Sequence, residues 1–392
     1  MKKSPLLILF ITILIDMLGF GIIIPILPIF TKELGAANYL VGLIAMSYPL
    51  MNFLFAPFWG SLSDRFGRRP IILTSVLITA LAYTTFGLSV NLWVLLFSRI
   101  LGGIGAANFS VAQAYIADVT RPEQRTKSMG IMGAAFGMGL IIGPTVGGYL
   151  KSISTLGRVD WVGFAAAGLS ILNFILAYFL LPESLKEKQI QKAFNFKVVT
   201  RLVNELKKPA IRELLWINFI YTSAFMITQI SASLFWKEKI QLNEIGIGNM
   251  FAFIGLATAV VQGLLIGKMV KAFGETNLLL YGIIIVIISF AAVPWVTQSS
   301  FIPWELVAFA LLALGNGCIT PTVISLLSKA SDPKEVGQVL GVNQSFSSMA
   351  RAVGMGMSGL FYGIDFHSPF LISSVMMVGC LALYTWANKS KA

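Results

Sequence analysis

The chain is poor in charge, in histidine and in cysteine. Only 12% of its 392 residues are Asp, Glu, Lys or Arg, about half the fraction of an ordinary soluble domain. One histidine, His367, cannot build a metal site with so few partners. The two cysteines, Cys318 and Cys380, fall far apart inside apolar stretches, which excludes a disulfide framework and reads as reduced, inert core. No Ser/His/Asp set, paired carboxylates or HExxH pattern is present, so an enzyme is not expected. Gly103-Ile-Gly105 imitates the start of a nucleotide loop, but no strand precedes it and no glycine follows at the required place. No cofactor is expected.

What is abundant is apolar surface. The chain is 56% apolar with a mean hydropathy of +0.81, more than one water-soluble core could hide. Most of it must be solvated by lipid. The net charge of +12 suggests nucleic acid at first sight. That partner is rejected, because the Lys and Arg residues sit in short loops between apolar runs rather than on one face. The first run, 5–30, follows Lys2 and Lys3 like a signal peptide, yet it is too long and lacks a small-residue cleavage site. It reads as a retained span.

A helix needs roughly 20 apolar residues to cross a bilayer. Spans are expected at 5–30, 39–60, 70–90, 92–117, 128–150 and 160–181, then at 211–235, 245–267, 277–297, 302–328, 337–362 and 368–387. The expected fold is an all-α membrane protein of twelve helices, in bundles of residues 1–181 and 211–392 joined by a cytoplasmic linker, 182–210. Within the linker, 194–206 could lie on the membrane as an amphipathic helix. With a cytoplasmic N-terminus, about 22 Lys/Arg fall on cytoplasmic loops and tails and about 5 on the other side, so both termini are expected inside.

The halves repeat each other. Arg121-Pro122-Glu123 through Gly130 to Gly143 returns as Asp332-Pro333-Lys334-Glu335 through Gly341 to Gly354, and Gly60-(x)6-Gly67 returns as Gly267-(x)6-Gly274. Two related halves around a midplane site suit a rocking transporter, although duplication alone would also suit a passive channel.

Four motifs sharpen this. The loop after the second span reads Gly60-Ser-Leu-Ser-Asp64-Arg65-Phe-Gly67-Arg68-Arg69, the fourth span Arg99-Ile-Leu-Gly102-Gly103, and the fifth Gly139-(x)3-Gly143-Pro144-(x)2-Gly147-Gly148. The first span carries Asp16, Leu18-Gly19-Phe20-Gly21 and Pro25-Ile-Leu-Pro28. Glycines allow tight turns and close helix packing, a carboxylate such as that of Asp64 is favoured at a helix N-terminus, and Pro144 frees a carbonyl and kinks its helix. Together these resemble the major facilitator superfamily, its twelve-span drug/proton antiporter group, with the N-terminal half most similar to the tetracycline/proton antiporters. The resemblance implies alternating-access export of drug-like or amphipathic molecules against protons, in the bacterial inner membrane. It also implies that Asp64 meets the eleventh helix and that Arg68 pairs with Asp118 to latch the outward-open state. Where the tetracycline exporters carry an acid, a histidine and an acid, this sequence has Ala82, Thr258 and Val286, which argues against their cargo and leaves a dedicated exporter of a sugar, siderophore or lipid precursor as the alternative.

Charges within spans cost at least ~3 kcal/mol and need a partner or a purpose. Asp16 lies about 16 Å into the first helix at 1.5 Å per residue. Either it takes up the driving proton with Arg99 tuning it, or the two form a permanent ion pair. Arg351 in the eleventh span can snorkel, cap carbonyls or bind an anion. Glu213 and Glu305, near helix ends, read as interfacial. Candidate cavity residues are Phe20, Asn108, Gln113, Tyr221, Phe225, Gln229, Asn343, Gln344 and Arg351, polar anchors in apolar walls that are also suited to helix–helix hydrogen bonds. The expected partners are a small-molecule substrate, protons and membrane lipid, with a monomer as the default because each half completes its own bundle.

Overall fold

The computed structural model describes residues 5–106, 109–120, 125–155, 158–185, 205, 207–332 and 336–389. Among these every regular element is a helix. The first half holds α1 (Pro5–Ile23), α2 (Ile26–Glu33), α3 (Asn38–Phe66), α4 (Arg68–Gly87), α5 (Leu92–Ala106), α6 (Phe109–Val119), α7 (Arg125–Ile153) and α8 (Asp160–Leu180). The second holds α9 (Pro209–Glu238), α10 (Glu244–Val260), a π-turn (Val261–Leu265), α11 (Ile266–Ala292), two short 3-10 turns (Val293–Trp295 and Gln298–Ser300), α12 (Phe301–Ala330), α13 (Val336–Ile364) and α14 (Ser368–Lys389).

Among the described residues, nine helical stretches are long and apolar enough to span a bilayer. One of them, Glu244–Trp295, is 52 residues long and contains two of the expected spans. α7 and α13 complete the expected dozen. The chain is therefore an all-helical, multi-pass membrane protein. The stretch 194–206 lies mostly outside the described residues, as do Arg121-Pro122-Glu123 and Pro333-Lys334-Glu335.

Local chemistry explains where helices break. The first span divides at Pro25, which supplies no backbone N–H and biases the preceding residue away from helix. Gly67 (φ 110°) separates α3 from α4, and its repeat Gly274 (φ 75°) interrupts α11. Both take a backbone conformation that side-chain-bearing residues rarely adopt, so the repeated glycine marks a repeated break.

The chain forms two compact units: 1–36, 47–194 and 243–252 in one, 37–46, 195–242 and 253–392 in the other. Segments 37–46 and 243–252 each belong to the unit built mostly from the other half of the chain.

In unit 1, α1 lies backbone to backbone on α7. A Cβ on Gly143 would stand 2.7 Å from the Cα of Gly21, and one on Gly147 would strike the carbonyl of Ile22. The neighbouring α7 face meets residues 243–252: a Cβ on Gly148 would strike the Glu244 carbonyl, and one on Gly248 the Pro144 carbonyl. The fifth-span motif thus has two packing faces. An apolar core including Leu9, Ile13, Val76, Tyr115 and Ile116 fills the bundle. Trp59 Nε1 donates to the Ile104 carbonyl at 2.7 Å, and Lys151 Nζ reaches Glu33 Oε2 at 2.6 Å.

In unit 2, residues 38–46 lie on α13, where a Cβ on Gly42 would approach the Met355 carbonyl to 2.8 Å. Buried hydroxyls bind neighbouring helices through their carbonyls: Ser289 to Ala308 at 2.8 Å and Ser373 to Ala224 at 3.0 Å. Such bonds hold apolar helices together where lipid supplies no hydrophobic drive.

Candidate proton and substrate sites

Asp16 lies half-buried on α1, beside a small cavity lined by Thr12, Leu9, Ile13, Met17 and Ile72, with room for about one water molecule. Its Oδ1 accepts a hydrogen bond from Asn173 Nδ2 of α8 at 2.9 Å, and the same nitrogen donates to the Thr12 carbonyl at 3.0 Å. Asn173 is fully buried. The expectation missed it, although a lone amide within the apolar run of the sixth span was a visible signal.

Arg99 is buried on α5, but no ion pair joins it to Asp16 among the described residues. Its guanidinium lies 4.6 Å over the Phe86 ring, and its Nε approaches Ser98 Oγ at 3.3 Å. Its Nη2 has no hydrogen-bond partner among the described residues. The permanent Asp16–Arg99 pair is therefore absent from this arrangement, and the reason is geometric: Arg99 satisfies part of its charge on an aromatic face. Phe20 stacks on Tyr48 with centroids 5.0 Å apart. Gln113 is half-buried, and Asn108 lies outside the described residues.

At the end of unit 1 that carries the signature loop, Arg68 reads three acceptors. Its Nε lies 3.1 Å from Asp118 Oδ2, and its Nη1 2.6 Å from both Asp64 Oδ1 and Ser63 Oγ. Glu183, which the expectation did not single out, caps α4. Its carboxylate accepts from the backbone N–H of Arg68 at 2.9 Å and of Arg69 at 3.2 Å, where the helix dipole favours negative charge. A Cβ on Gly67 would collide with that carboxylate. Arg69 lies 5.5 Å over the Tyr178 ring, whereas Arg65 is exposed. Gly60 has open space around it.

Unit 2 holds a polar seam across three helices. Tyr221 Oη of α9 donates to Asn316 Oδ1 of α12 at 2.6 Å, and Thr320 Oγ1 donates to the same oxygen at 3.0 Å. Asn218 Nδ2 donates to Asn343 Oδ1 of α13 and to Ser347 Oγ, each at 2.8 Å. Tyr221 and Asn343 were expected here, and Asn218 and Asn316 were missed despite being amides within apolar spans. Phe225 lies 6.0 Å from Tyr221, and Gln229 and Gln344 are half-buried. Arg351 is half-buried and donates from Nη2 to Ser348 Oγ at 3.2 Å. Glu213 and Glu305, expected at the interface, lie near helix ends but inside the protein. They are 5% and 0% exposed, because the helix ends that carry them are packed under neighbouring helices.

The chain is similar to known proteins along nearly its whole length. The model for the Major Facilitator Superfamily matches residues 9–301 and, again, 214–392. The chain is 29% identical over 398 residues to multidrug resistance protein 2 of Bacillus subtilis (strain 168), covering 99% of this chain and 96% of the relative. It is 32% identical over 392 residues to the class B tetracycline resistance protein of Escherichia coli, covering 98% and 94%. Among solved structures, the human organic anion transporter MFSD10 (TETRAN) superposes with a TM-score of 0.74 at 22% identity, covering 97% of this chain and all of that one. A bacterial homolog of the human lysosomal transporter Spinster gives 0.78 at 15% identity, covering 99% and 97%.

Proposed function

The chain belongs to the Major Facilitator Superfamily, and from that premise we propose that it is a proton-coupled antiporter, exporting drug-like or amphipathic small molecules by alternating access. The observation that carries the reading is Asp16, whose Oδ1 is held by the neutral amide of Asn173 beside a cavity of water size, with no ion pair to Arg99 among the described residues. The Asn173 amide is a neutral donor that can serve Oδ1 in either protonation state of the carboxyl, whereas a permanent pair with Arg99 would hold it ionised. Relatives named for multidrug and tetracycline resistance at near full length support drug-like cargo.

The polar seam of Tyr221, Asn316, Asn218 and Asn343, with Phe225 beside it, supplies a few anchors on an apolar wall, the composition that suits an amphipathic guest. Protons moving down their gradient provide the work, so no cofactor is needed. The protein works as a monomer in the bacterial inner membrane with both termini cytoplasmic. Exposed Trp93, Trp161, Trp295 and Trp304 flank odd-numbered loops and exposed Trp216 and Trp386 the opposite ends, as aromatic belts at both interfaces do, and the basic loops set the orientation.

A second reading, export of a defined endogenous solute, is favoured by one observation. Ala82 and Val286, aligned with ionisable residues of the tetracycline exporters, are fully buried apolar side chains. The test is proton flux in proteoliposomes under an imposed pH gradient, screened against lipophilic cations, antibiotics, sugars and siderophores. A lipophilic compound that collapses the gradient in wild type but not in Asp16→Asn supports drug/proton antiport. A response confined to sugars or siderophores transfers the assignment to the dedicated exporter, and silence throughout overturns proton coupling to these classes.

A further inference from the structure

Unit 2 contains a buried carboxyl that the reading above leaves unused. Glu305 stands one turn into α12 and is 0% exposed. Its Oε1 accepts a hydrogen bond from the indole Nε1 of Trp236 on α9. Trp236 is itself fully buried, its ring 5.0 Å from that of Phe309. The second oxygen, Oε2, has no hydrogen-bond partner among the described residues.

Among the described residues no counter-charge serves this carboxyl. The elements packed on α12 are α9, α11, α13, the π-turn and the two 3-10 turns. Near Glu305, α9 ends in Lys237 and Glu238, followed by Lys239. Glu238 accepts from Tyr362 of α13 at 3.0 Å, and Lys239 lies 4.4 Å over the Phe366 ring. Farther along α9 are Arg212, Glu213 and Tyr221. The ionisable groups of α11 are Lys268, Lys271, Glu275 and Tyr281, and those of α13 are Arg351 and Tyr362; the three turns carry none. Among the described residues none of these forms an ion pair or hydrogen bond with Glu305.

Burying an uncompensated charge is costly, and one neutral donor does not repay it. A proton on Oε2 removes the charge while Oε1 goes on accepting the indole N–H, so this pocket suits the neutral carboxyl and the charged form requires water to reach it. The start of α12 is flanked by exposed Trp295 and Trp304, the end assigned above to the periplasm. We propose that Glu305 is a second proton-binding carboxyl, held by Trp236 inside unit 2, which takes one proton onto Oε2 from water at the tryptophan-flanked end and releases it to water on the cytoplasmic side in each transport cycle. Its part in the cycle rests on the antiport reading; its protonation does not.

The test is an infrared pH titration of the purified, lipid-reconstituted protein, following the carboxylic C=O stretch, alongside substrate-driven proton flux. The expected result is a titrating component that is lost in Glu305→Gln and retained in Asp16→Asn, with proton flux in Glu305→Gln reduced to that of empty vesicles. If Glu305→Gln does not fold, Trp236→Phe keeps the carboxyl and should move that component, because the indole bond is gone. A titration spectrum of Glu305→Gln identical to wild type, or of Trp236→Phe unmoved, overturns the proton site. Loss of the component with undiminished flux overturns its part in the cycle. Absence of substrate-driven flux in wild type, with the component still lost in Glu305→Gln, removes the antiport reading and leaves the proton site standing.

Discussion

The Nε of Arg68, at the first residue of α4, lies 3.1 Å from the Oδ2 of Asp118 near the end of α6. Arg68 is 8% exposed and divides its guanidinium between Asp118, Asp64 and Ser63. A lysine presents one ammonium and cannot serve that fork. Arg68→Lys is therefore expected to abolish substrate-driven proton flux while the protein still purifies as a folded species. Removing one partner of a buried, charge-assisted bond costs about 1.5–3 kcal/mol, so Asp118→Asn should lower thermal stability by that order. Reconstituted flux and a thermal melt check both, and full activity of Arg68→Lys would contradict the account.

The second half carries the related contact with its charges exchanged. Where Arg68 follows Gly67, Glu275 follows Gly274, and its Oε1 lies 2.8 Å from Lys329 Nζ near the end of α12. Ser325 Oγ also donates to it at 2.9 Å. Lys329 is 65% exposed, so this pair should contribute less than about 1 kcal/mol. Glu275→Lys and Lys329→Glu should each be mildly destabilising, and the double exchange should recover most of the loss. A double-mutant cycle measures it, and no recovery would mean the pair is not coupled.

Close contact between α1 and α7 makes the fifth-span glycines intolerant of size. A Cβ on Gly143 meets the backbone of Gly21, which cannot rotate away. Gly143→Ala should cost roughly 1–3 kcal/mol as overpacking, and Gly143→Leu should prevent folding. Gly137, on the same helix, has nothing within 4 Å of an added Cβ among the described residues, so Gly137→Ala is the tolerated control. Expression and detergent stability separate the two, and equal tolerance would refute the backbone-to-backbone contact.

Asp16→Asn should leave the protein folded and reduce substrate-driven proton flux to that of empty vesicles. Asn173→Ala removes the amide that serves Asp16 Oδ1, a bond of about 1.5 kcal/mol or more if the acceptor is charged. Coupled flux should fall roughly tenfold. Unchanged flux in Asn173→Ala would show that the amide does not position the carboxyl.

Glu305 shows where legibility ended. Its place near the start of a span reads as interfacial, because position along a helix gives depth but not the direction in which the side chain points. Packing of Trp236 over it turned a carboxyl near the helix end into a fully buried one. Arg99 taught the same lesson in reverse. Its distance along the fourth span put it near the depth of Asp16, yet Phe86 took its charged face. Asn173, Asn218 and Asn316 were visible as amides in apolar runs, but only three-dimensional packing chose which oxygen each would serve. The Arg68–Asp118 contact was implied by resemblance, whereas the cap supplied by Glu183 was not, since it depends on the chain after α8 returning to the start of α4.

By itself, the sequence determined the solvent, the helices and their repetition. Long apolar runs can satisfy their backbone in lipid only as helices, and glycine and proline set where those helices stop. Tertiary structure alone decided which buried charges would meet. A side chain's partner is fixed by helix rotation and crossing, which follow from the sum of many small packing contacts rather than from any local pattern. That is why Asp16 found Asn173, Arg99 found Phe86 and Glu305 found Trp236.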